Sequence, residues 1–153
     1  MGSVVDAGGS NLVIELFDWE KAQPLALALR YDVFVHEQGV PPELERDEHD
    51  AVSVHAVARF QDGSVAGTGR LLPDGHIGRM AVSSNARGQG IGGRILEALV
   101  ERARDLGHRR VVLNAQCHAQ PFYLRHRFVA EGPIFDDAGI DHIMMTRVLA
   151  KEG

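Results

Sequence analysis

The chain has 153 residues, a net charge of −5 and a single cysteine. That length buries one sizeable core and hardly two, so we expect one domain over residues 12–153. The acidic balance argues against nucleic acid as a partner, because phosphate backbones call for clustered Lys and Arg. One cysteine excludes a disulfide framework and indicates a reducing, cytoplasmic compartment. No apolar run reaches the ~20 residues of a membrane span, so no membrane partner is expected.

The chain is predicted to open with a disordered lead-in, residues 1–11, which is rich in Gly and Ser and lacks the basic cluster of a signal peptide. Weak alternation predicts a first strand over residues 12–17. Apolar residues at helical spacing predict a helix over residues 20–36. The acidic run at residues 43–50 is predicted to be a solvated loop rather than a lip that binds the amine, and it lacks the spacing of a calcium loop.

The rest of the chain is predicted to mix strands and helices. Three strands, residues 53–59, 65–72 and 77–82, form an antiparallel meander joined by turns that contain Asp and Gly. An amphipathic helix then runs from near Gly92 to Leu106. It is followed by a buried strand, a short helix and two closing strands, predicted at residues 111–115, 119–126, 128–135 and 142–148.

A glycine-rich turn joins the third meander strand to the amphipathic helix. Glycines let backbone N–H groups approach an anion, and the first turn of the helix adds its unpaired N–H groups and the positive end of its dipole. A phosphorylated cofactor is therefore predicted here. The cofactor-binding candidates are the strand end and the turn, namely Met80, Ala81, Val82, Arg87, Gly88, Gln89, Gly90, Ile91, Gly92 and Gly93.

Three phosphate-binding patterns compete for this turn. A P-loop is excluded because no Gly-Lys-Ser/Thr follows. Gly88, Gly90 and Gly93 fit the dinucleotide pattern G-x-G-x-x-G, but a spacer of four residues precedes Arg87 and no acid ends the next strand to bind ribose. The third pattern, R-x-x-G-x-G, is met by Arg87, Gly90 and Gly92.

The third pattern resembles the acetyl-CoA loop of the GCN5-related N-acetyltransferases. Further resemblances lie in A-x-x-F-Y followed by Phe128, where Arg127 replaces the usual Gly, in the segment from Arg30 to Gln38, and in G-I-D-H-I-M-M from Gly139. The last two are similar to an ElaA-like and glyphosate N-acetyltransferase-like subgroup. The resemblance implies an α/β (α+β) fold, with a mixed, mostly antiparallel sheet flanked by helices and the cofactor in a cleft between splayed strands.

The resemblance also implies roles for individual residues. His142 is the candidate general base and Tyr123 the candidate general acid toward the departing thiolate. Asn114 and Tyr123 are expected beside the cofactor, and Arg30, Arg79 and Gln116 beside the acceptor. Arg127 is expected either to hold a strained backbone conformation or to sit in a differently built turn.

These observations predict an acetyl-CoA-dependent N-acetyltransferase that acts on a small-molecule primary amine by direct transfer, as a monomer or homodimer. No metal site is predicted, because no His, Cys and Asp cluster has ligand spacing. Two alternatives stay open at this point, a non-catalytic CoA-binding or sensing domain and a dinucleotide-dependent dehydrogenase.

Overall fold

A computed structural model describes residues 3–6, 12–45 and 47–149. The strands are β1 (Ser3–Asp6), β2 (Leu12–Phe17), β3 (Val54–Phe60), β4 (Val65–Leu71), β5 (His76–Val82), β6 (Arg110–Gln116), β7 (Val129–Asp137) and β8 (Ile140–Val148). The α-helices are α1 (Trp19–Arg30), α2 (Pro42–Glu45), α3 (Ile91–Asp105) and α4 (Gln120–Arg125), and a π-helical turn, Tyr31–Glu37, follows α1 directly. No helix in these described ranges is long and apolar enough to cross a membrane.

The described strands form one sheet in the order β1-β2-β3-β4-β5-β6-β8-β7. Neighbouring strands run antiparallel except for β5 and β6, which are parallel because α3 carries the chain back across the sheet between them. The predicted mixed, mostly antiparallel sheet with flanking helices is confirmed. The long crossover places the start of α3 next to the end of β5.

The two faces of the sheet carry different helices. Ala56 and Ala58 of β3 pack in the large core with α3, whereas Val57 between them packs in a smaller cluster with Ala22 of α1. This follows from the alternation of side chains along a strand. The amphipathic pattern of α3 is confirmed by its buried stripe, Ile91, Ile95, Leu96, Ala98, Leu99, Val100 and Ala103.

Two glycines let α3 approach the sheet closely. A Cβ at Gly67 of β4 would lie 2.7 Å from Ile95 Cδ1, and a Cβ at Gly69 would lie 3.0 Å from Ile95 Cγ2 and from Leu99 Cδ1. The first distance is shorter than real Cβ contacts and the other two are at that limit, so a larger residue at either position would force side chains of α3 to shift. The close contact fixes the height of α3, and of the turn before it, above the sheet.

Two segments differ from their predictions. Ser3–Asp6, within the predicted lead-in, forms β1 and pairs with β2, while residues 1–2 and 7–11 of that lead-in lie outside the described residues. The predicted acidic loop contains α2 and a 3₁₀ turn at Glu48–Val52, capped by Asp47. Arg127 adopts a left-handed φ of 71°, as one of its two predicted alternatives required.

Candidate active site

Strands β5 and β6 separate partway along their length. Their parallel pairing consists of His76 with Val112 and Ile77 with Leu113. Beyond these positions β5 stays paired with β4 as far as Val82, and β6 stays paired with β8 as far as Gln116. The two strands, both fully described, therefore diverge toward their carboxyl ends and leave a cleft between them.

A bulge distorts β5 at the point of divergence. Thr68 pairs with Ala81 and Arg70 with Gly78, so Arg79 and Met80 together oppose one residue of β4. Arg79 has a left-handed φ of 50°. Such a conformation costs a non-glycine residue roughly 1–3 kcal/mol, and it is typical of residues that a functional site holds in place.

The cleft has a volume of about 590 Å³. The π-helical turn, the bulged strand, β6, α4 and the β7–β8 turn all contribute to its walls. The side chains that line it include Phe34, Gln38, Arg79, Met80, Asn114, Gln116, Tyr123 and His142. The cleft therefore collects the predicted catalytic pair and most of the predicted acceptor-binding residues, which are far apart in the sequence.

The glycine-rich turn has the backbone geometry that the phosphate-loop prediction requires. Gly88 and Gly90 have φ values of 81° and 78°, and a Cβ on either would meet nothing within 4 Å. Helix α3 begins at Ile91, whose side chain is buried, so Ile91 can offer a ligand only its backbone. At Gly88 and Gly90 the turn is open, so no side chain covers the backbone N–H groups there.

Arg87 ties the glycine-rich turn to the π-helical turn. Its Nη1 and Nη2 donate to Glu37 Oε2 and Oε1 at 2.8 and 2.7 Å, and its Nε donates to the carbonyl of Val82 at 3.1 Å. The hydrogen bonds and charge of Arg87 lower the pKa of Glu37 despite its slight burial, and Glu37 raises that of Arg87. Because the ion pair is exposed, it contributes little stability.

His142 lies on β8 at the wall of the cleft and is 9% exposed. Its Nδ1 is 2.8 Å from the carbonyl oxygen of Ile140, and its ring stacks on Phe135 with centroids 5.9 Å apart. A carbonyl can only accept, so Nδ1 carries the proton. In the neutral ring, Nε2 is therefore the atom with a lone pair.

Tyr123 lies on α4 and lines the same cleft. Its ring packs edge-on against Phe122 and Phe128, with centroid distances of 4.9 and 6.1 Å. Burial raises the pKa of its phenol to about 12. The phenol therefore stays protonated, as a hydrogen-bond donor must, throughout the neutral pH range.

Arg30 does not line the cleft, contrary to the expectation from the sequence. It is 1% exposed, its Nε donates to Glu45, and Nη1 and Nη2 donate to Asp50. A second arginine, Arg70, donates to Asp50 and to Asp47. The guanidinium of Arg30 thus joins the end of α1 to the acidic segment, residues 43–50, and is not available to a substrate.

The other two predicted acceptor-binding residues do lie at the cleft. Arg79 donates from Nε to the Glu45 carbonyl at 3.0 Å and from Nη2 to Asp47 at 3.2 Å. Burial, together with the charges of Arg70 and Arg30, lowers the pKa of Arg79 in spite of the nearby carboxylates. Gln116 donates from Nε2 to Gln38 Oε1 at 2.9 Å and lies opposite His142 in the β6–β8 register.

Sequence reasoning missed Gln38 and Arg70, which also line the cleft. Gln38 ends the segment from Arg30 that resembles the ElaA-like subgroup, but its hydrogen-bond partner lies 78 residues away. Arg70 lies in β4, and the sequence pattern there predicts a strand without indicating which side chains face the cleft. Neither residue has a local signal that distinguishes a cleft-lining side chain from a surface one.

Known proteins are similar to this chain in sequence and in fold. The family model for an acetyltransferase (GNAT) domain matches residues 18–149. The N-acetyltransferase YjcF of Bacillus subtilis is 40% identical over 126 residues, which cover 80% of this chain and 89% of the relative. The crystal structure of an acyl-CoA N-acyltransferase from Pseudomonas aeruginosa has a TM-score of 0.80 at 35% identity, over 90% of this chain and 99% of that one.

The resemblance to the ElaA-like subgroup also has a structural counterpart. Escherichia coli ElaA superposes with a TM-score of 0.78 at 26% identity, over 89% of this chain and 99% of its own. The splayed strands, the glycine-rich turn and the family match agree with one another. The chain therefore belongs to the GCN5-related N-acetyltransferase (GNAT) family and is an acetyltransferase.

Proposed function

We propose that this acetyltransferase moves the acetyl group of acetyl-CoA directly to a primary amine of a small molecule while both substrates are bound. The observation that carries the proposal is the divergence of β5 from β6 beside the glycine-rich turn. One end of the opening offers backbone N–H groups suited to a diphosphate. The other end leads to a cleft that holds both an imidazole and a phenol.

The cofactor is bound mainly by backbone groups. The amides from Gly88 to Gly93 hold the diphosphate, and the backbone of Met80, Ala81 and Val82, which faces the gap, pairs with the pantetheine arm. An N–H of this bulged strand polarises the thioester carbonyl, as an oxyanion hole does. Asn114, which is exposed on the opposite strand, lies beside the same arm. Arg87 takes part either through its guanidinium or by holding the turn against Glu37.

His142 removes one proton from the ammonium form of the amine before attack. The Ile140 carbonyl holds Nδ1–H and thereby leaves Nε2 as the acceptor atom. The neutral amine nitrogen then attacks the thioester carbon to form a tetrahedral intermediate. The C–S bond breaks when the carbonyl re-forms, the extra proton that the nitrogen still carries passes to the departing sulfur, and the products are the acetamide and the CoA thiol.

Tyr123 stabilises the departing thiolate. Its raised pKa makes the phenol a weaker acid than an ordinary thiol, whose pKa is near 8.5. A hydrogen bond from the phenol to sulfur is therefore favoured over complete proton transfer. Tyr123→Phe should lower turnover, and its effect should shrink with acyl donors whose leaving thiol is more acidic.

Arg79 and Gln116 contact the acceptor, whereas Arg30 contributes only to the wall behind them. The proposal is tested with an amine library that includes amines bearing carboxylate or phosphate groups, with release of CoA thiol as the readout. Amine-dependent thiol release with a matching acetamide product is expected. Acetyl-CoA binding without amine-dependent release from any member would instead favour a non-catalytic CoA-binding or sensing domain.

A further inference from the structure

A histidine outside the proposed catalytic pair lies against the cofactor turn. His126 follows α4, and its Nδ1 is 2.7 Å from Glu97 Oε2 on α3. Arg147 of β8 donates from Nη1 to the same carboxylate at 3.0 Å and to the carbonyl of His126 at 3.2 Å. Three elements therefore fix the position and rotation of this imidazole.

The other edge of the imidazole lies over the first turn of α3. A Cβ built on Gly93 would lie 2.9 Å from His126 Nε2 and 3.1 Å from Cε1. The imidazole therefore occupies the space that any other residue at position 93 would fill with its own side chain. Gly90, Gly93 and His126 line one groove along α3, so Nε2 lies at the end of the helix where the backbone N–H groups are unpaired.

The carboxylate of Glu97 accepts a hydrogen bond at one edge of the His126 ring and leaves the other edge to a ligand. Burial works against the ionised form of Glu97, but the hydrogen bond from His126 and the charge of Arg147 outweigh it and lower the pKa of this carboxyl. The Glu97 carboxylate accepts from Nδ1–H in either state of the ring. The remaining charged groups of the groove are Arg94, Glu101, Arg102 and Asp105 of α3 and Arg125 of α4.

We propose that His126 is a further cofactor-binding residue, whose Nε2–H donates to the diphosphate of CoA beside the amides of the glycine-rich turn. Glu97 and Arg147 position the ring for this contact. The inference rests on the proposed function, because it takes CoA as the ligand. It explains why a glycine follows the R-x-x-G-x-G pattern at position 93, since the imidazole needs that space.

The test measures binding of three ligands by calorimetry in the wild type and in His126→Ala. These are CoA, 3′-dephospho-CoA and pantetheine, which has neither diphosphate nor ribose. Loss of a hydrogen bond to a charged group should weaken CoA and dephospho-CoA about tenfold or more, and pantetheine should be unaffected. His108→Gln, beyond the opposite end of α3, is the matched control and should bind all three like the wild type.

Each other outcome overturns a defined part of the proposal. An equal loss for pantetheine would make His126 a packing residue, and a loss confined to CoA would move the contact from the diphosphate to the 3′-phosphate. Unchanged CoA affinity in His126→Ala would remove the contact altogether. If the wild type binds no CoA, the proposed function itself fails.

A double-mutant cycle separates the contribution of the imidazole to CoA binding from that of the backbone of the turn. Gly93→Ala places a Cβ in the space of His126, so it should weaken CoA binding in the wild-type background. In the His126→Ala background the space is empty, so the same substitution should have no further effect. Additive losses would show that Gly93 acts through its own backbone and not by leaving space for the imidazole of His126.

Discussion

The glycine-rich turn and the acidic segment differ in how they use charge. The turn has few charges, and its left-handed glycines present backbone N–H groups on an open surface. The acidic segment has many charges, and Glu45, Asp47 and Asp50 are bound to arginines of the surrounding elements. In the proposed function, anion binding relies on backbone N–H groups, whereas the carboxylates of Glu45, Asp47 and Asp50 are held in ion pairs.

The largest expected effect concerns a side chain of the cleft, the proposed general base. His142→Ala should lower turnover about 100-fold to 10,000-fold, the usual contribution of a general base, with little change in acetyl-CoA affinity. The defect should shrink as pH rises, because more of the amine is then already neutral. A pH–rate profile beside the wild type measures both effects.

An unchanged profile and rate would make His142 a structural strand residue. Glu37 would be a poor replacement as base, because its ion pair with Arg87 lowers its pKa. A chain of water molecules would then be the alternative route for the proton.

The next largest effect concerns the backbone N–H groups of the glycine-rich turn, where the diphosphate is proposed to bind. Gly90→Val should abolish detectable acetyl-CoA binding, because a branched side chain would stand over the first-turn N–H groups and resist a φ of 78°. Since a Cβ there meets no neighbour within 4 Å, the fold should survive with a modest loss of melting temperature. A folded Gly90→Val protein that binds acetyl-CoA normally would contradict the phosphate-loop assignment.

A third substitution tests whether Arg30, which binds the acidic segment, has a structural role or contacts the acceptor. Arg30→Met leaves Glu45 and Asp50 buried with less compensation, which typically costs about 3–5 kcal/mol of unfolding free energy. Thermal melting should show a large fall, whereas the exposed control Arg104→Met should change stability by less than about 1 kcal/mol. Normal stability combined with a raised KM for the amine would return Arg30 to the acceptor site.

The smallest expected effect concerns Asp47 in the acidic segment and how its contribution to the free energy of unfolding depends on pH. Burial disfavours the charged form of Asp47, but hydrogen bonds and charge from Arg70, with the charge of Arg79, lower its pKa to about 2. Because this folded-state value is below the usual one, Asp47 stabilises the fold above pH ~4 and loses that contribution between pH ~4 and ~2. Asp47→Asn should therefore be destabilised by about 2 kcal/mol at neutral pH.

The stability difference between Asp47→Asn and the wild type should narrow as the pH falls through this window. Denaturant unfolding at a series of pH values measures it. A difference that stays constant down to pH ~2 would show that Asp47 contributes through packing and not through its charge.

Local signals explain why some features could be predicted from the sequence and others could not. Gly88 and Gly90 were identifiable because their left-handed geometry restricts the residue type, and the stripe of α3 was identifiable from its period. The environment of Arg30 was not, because an arginine on a helix has the same pattern whether it faces a cleft or carboxylates 15 and 20 residues away. The Gln38–Gln116 contact was likewise not predictable, because it joins residues that only the folded sheet brings together.

The π-helical turn after α1 contains one more residue per hydrogen-bonded turn than an α-helix, and this extra residue sets how the core and the cleft are joined. The N–H of Gln38 donates to the carbonyl of Val33, five residues earlier, whereas an α-helix would use the fourth. Val33 is anchored in the core, and Gln38 reaches the cleft. Deleting one residue between them would restore α-helical winding and rotate everything that follows by about 100° relative to that anchor. The length of this segment is thus a determinant of cleft shape in its own right, independent of which amino acids occupy it.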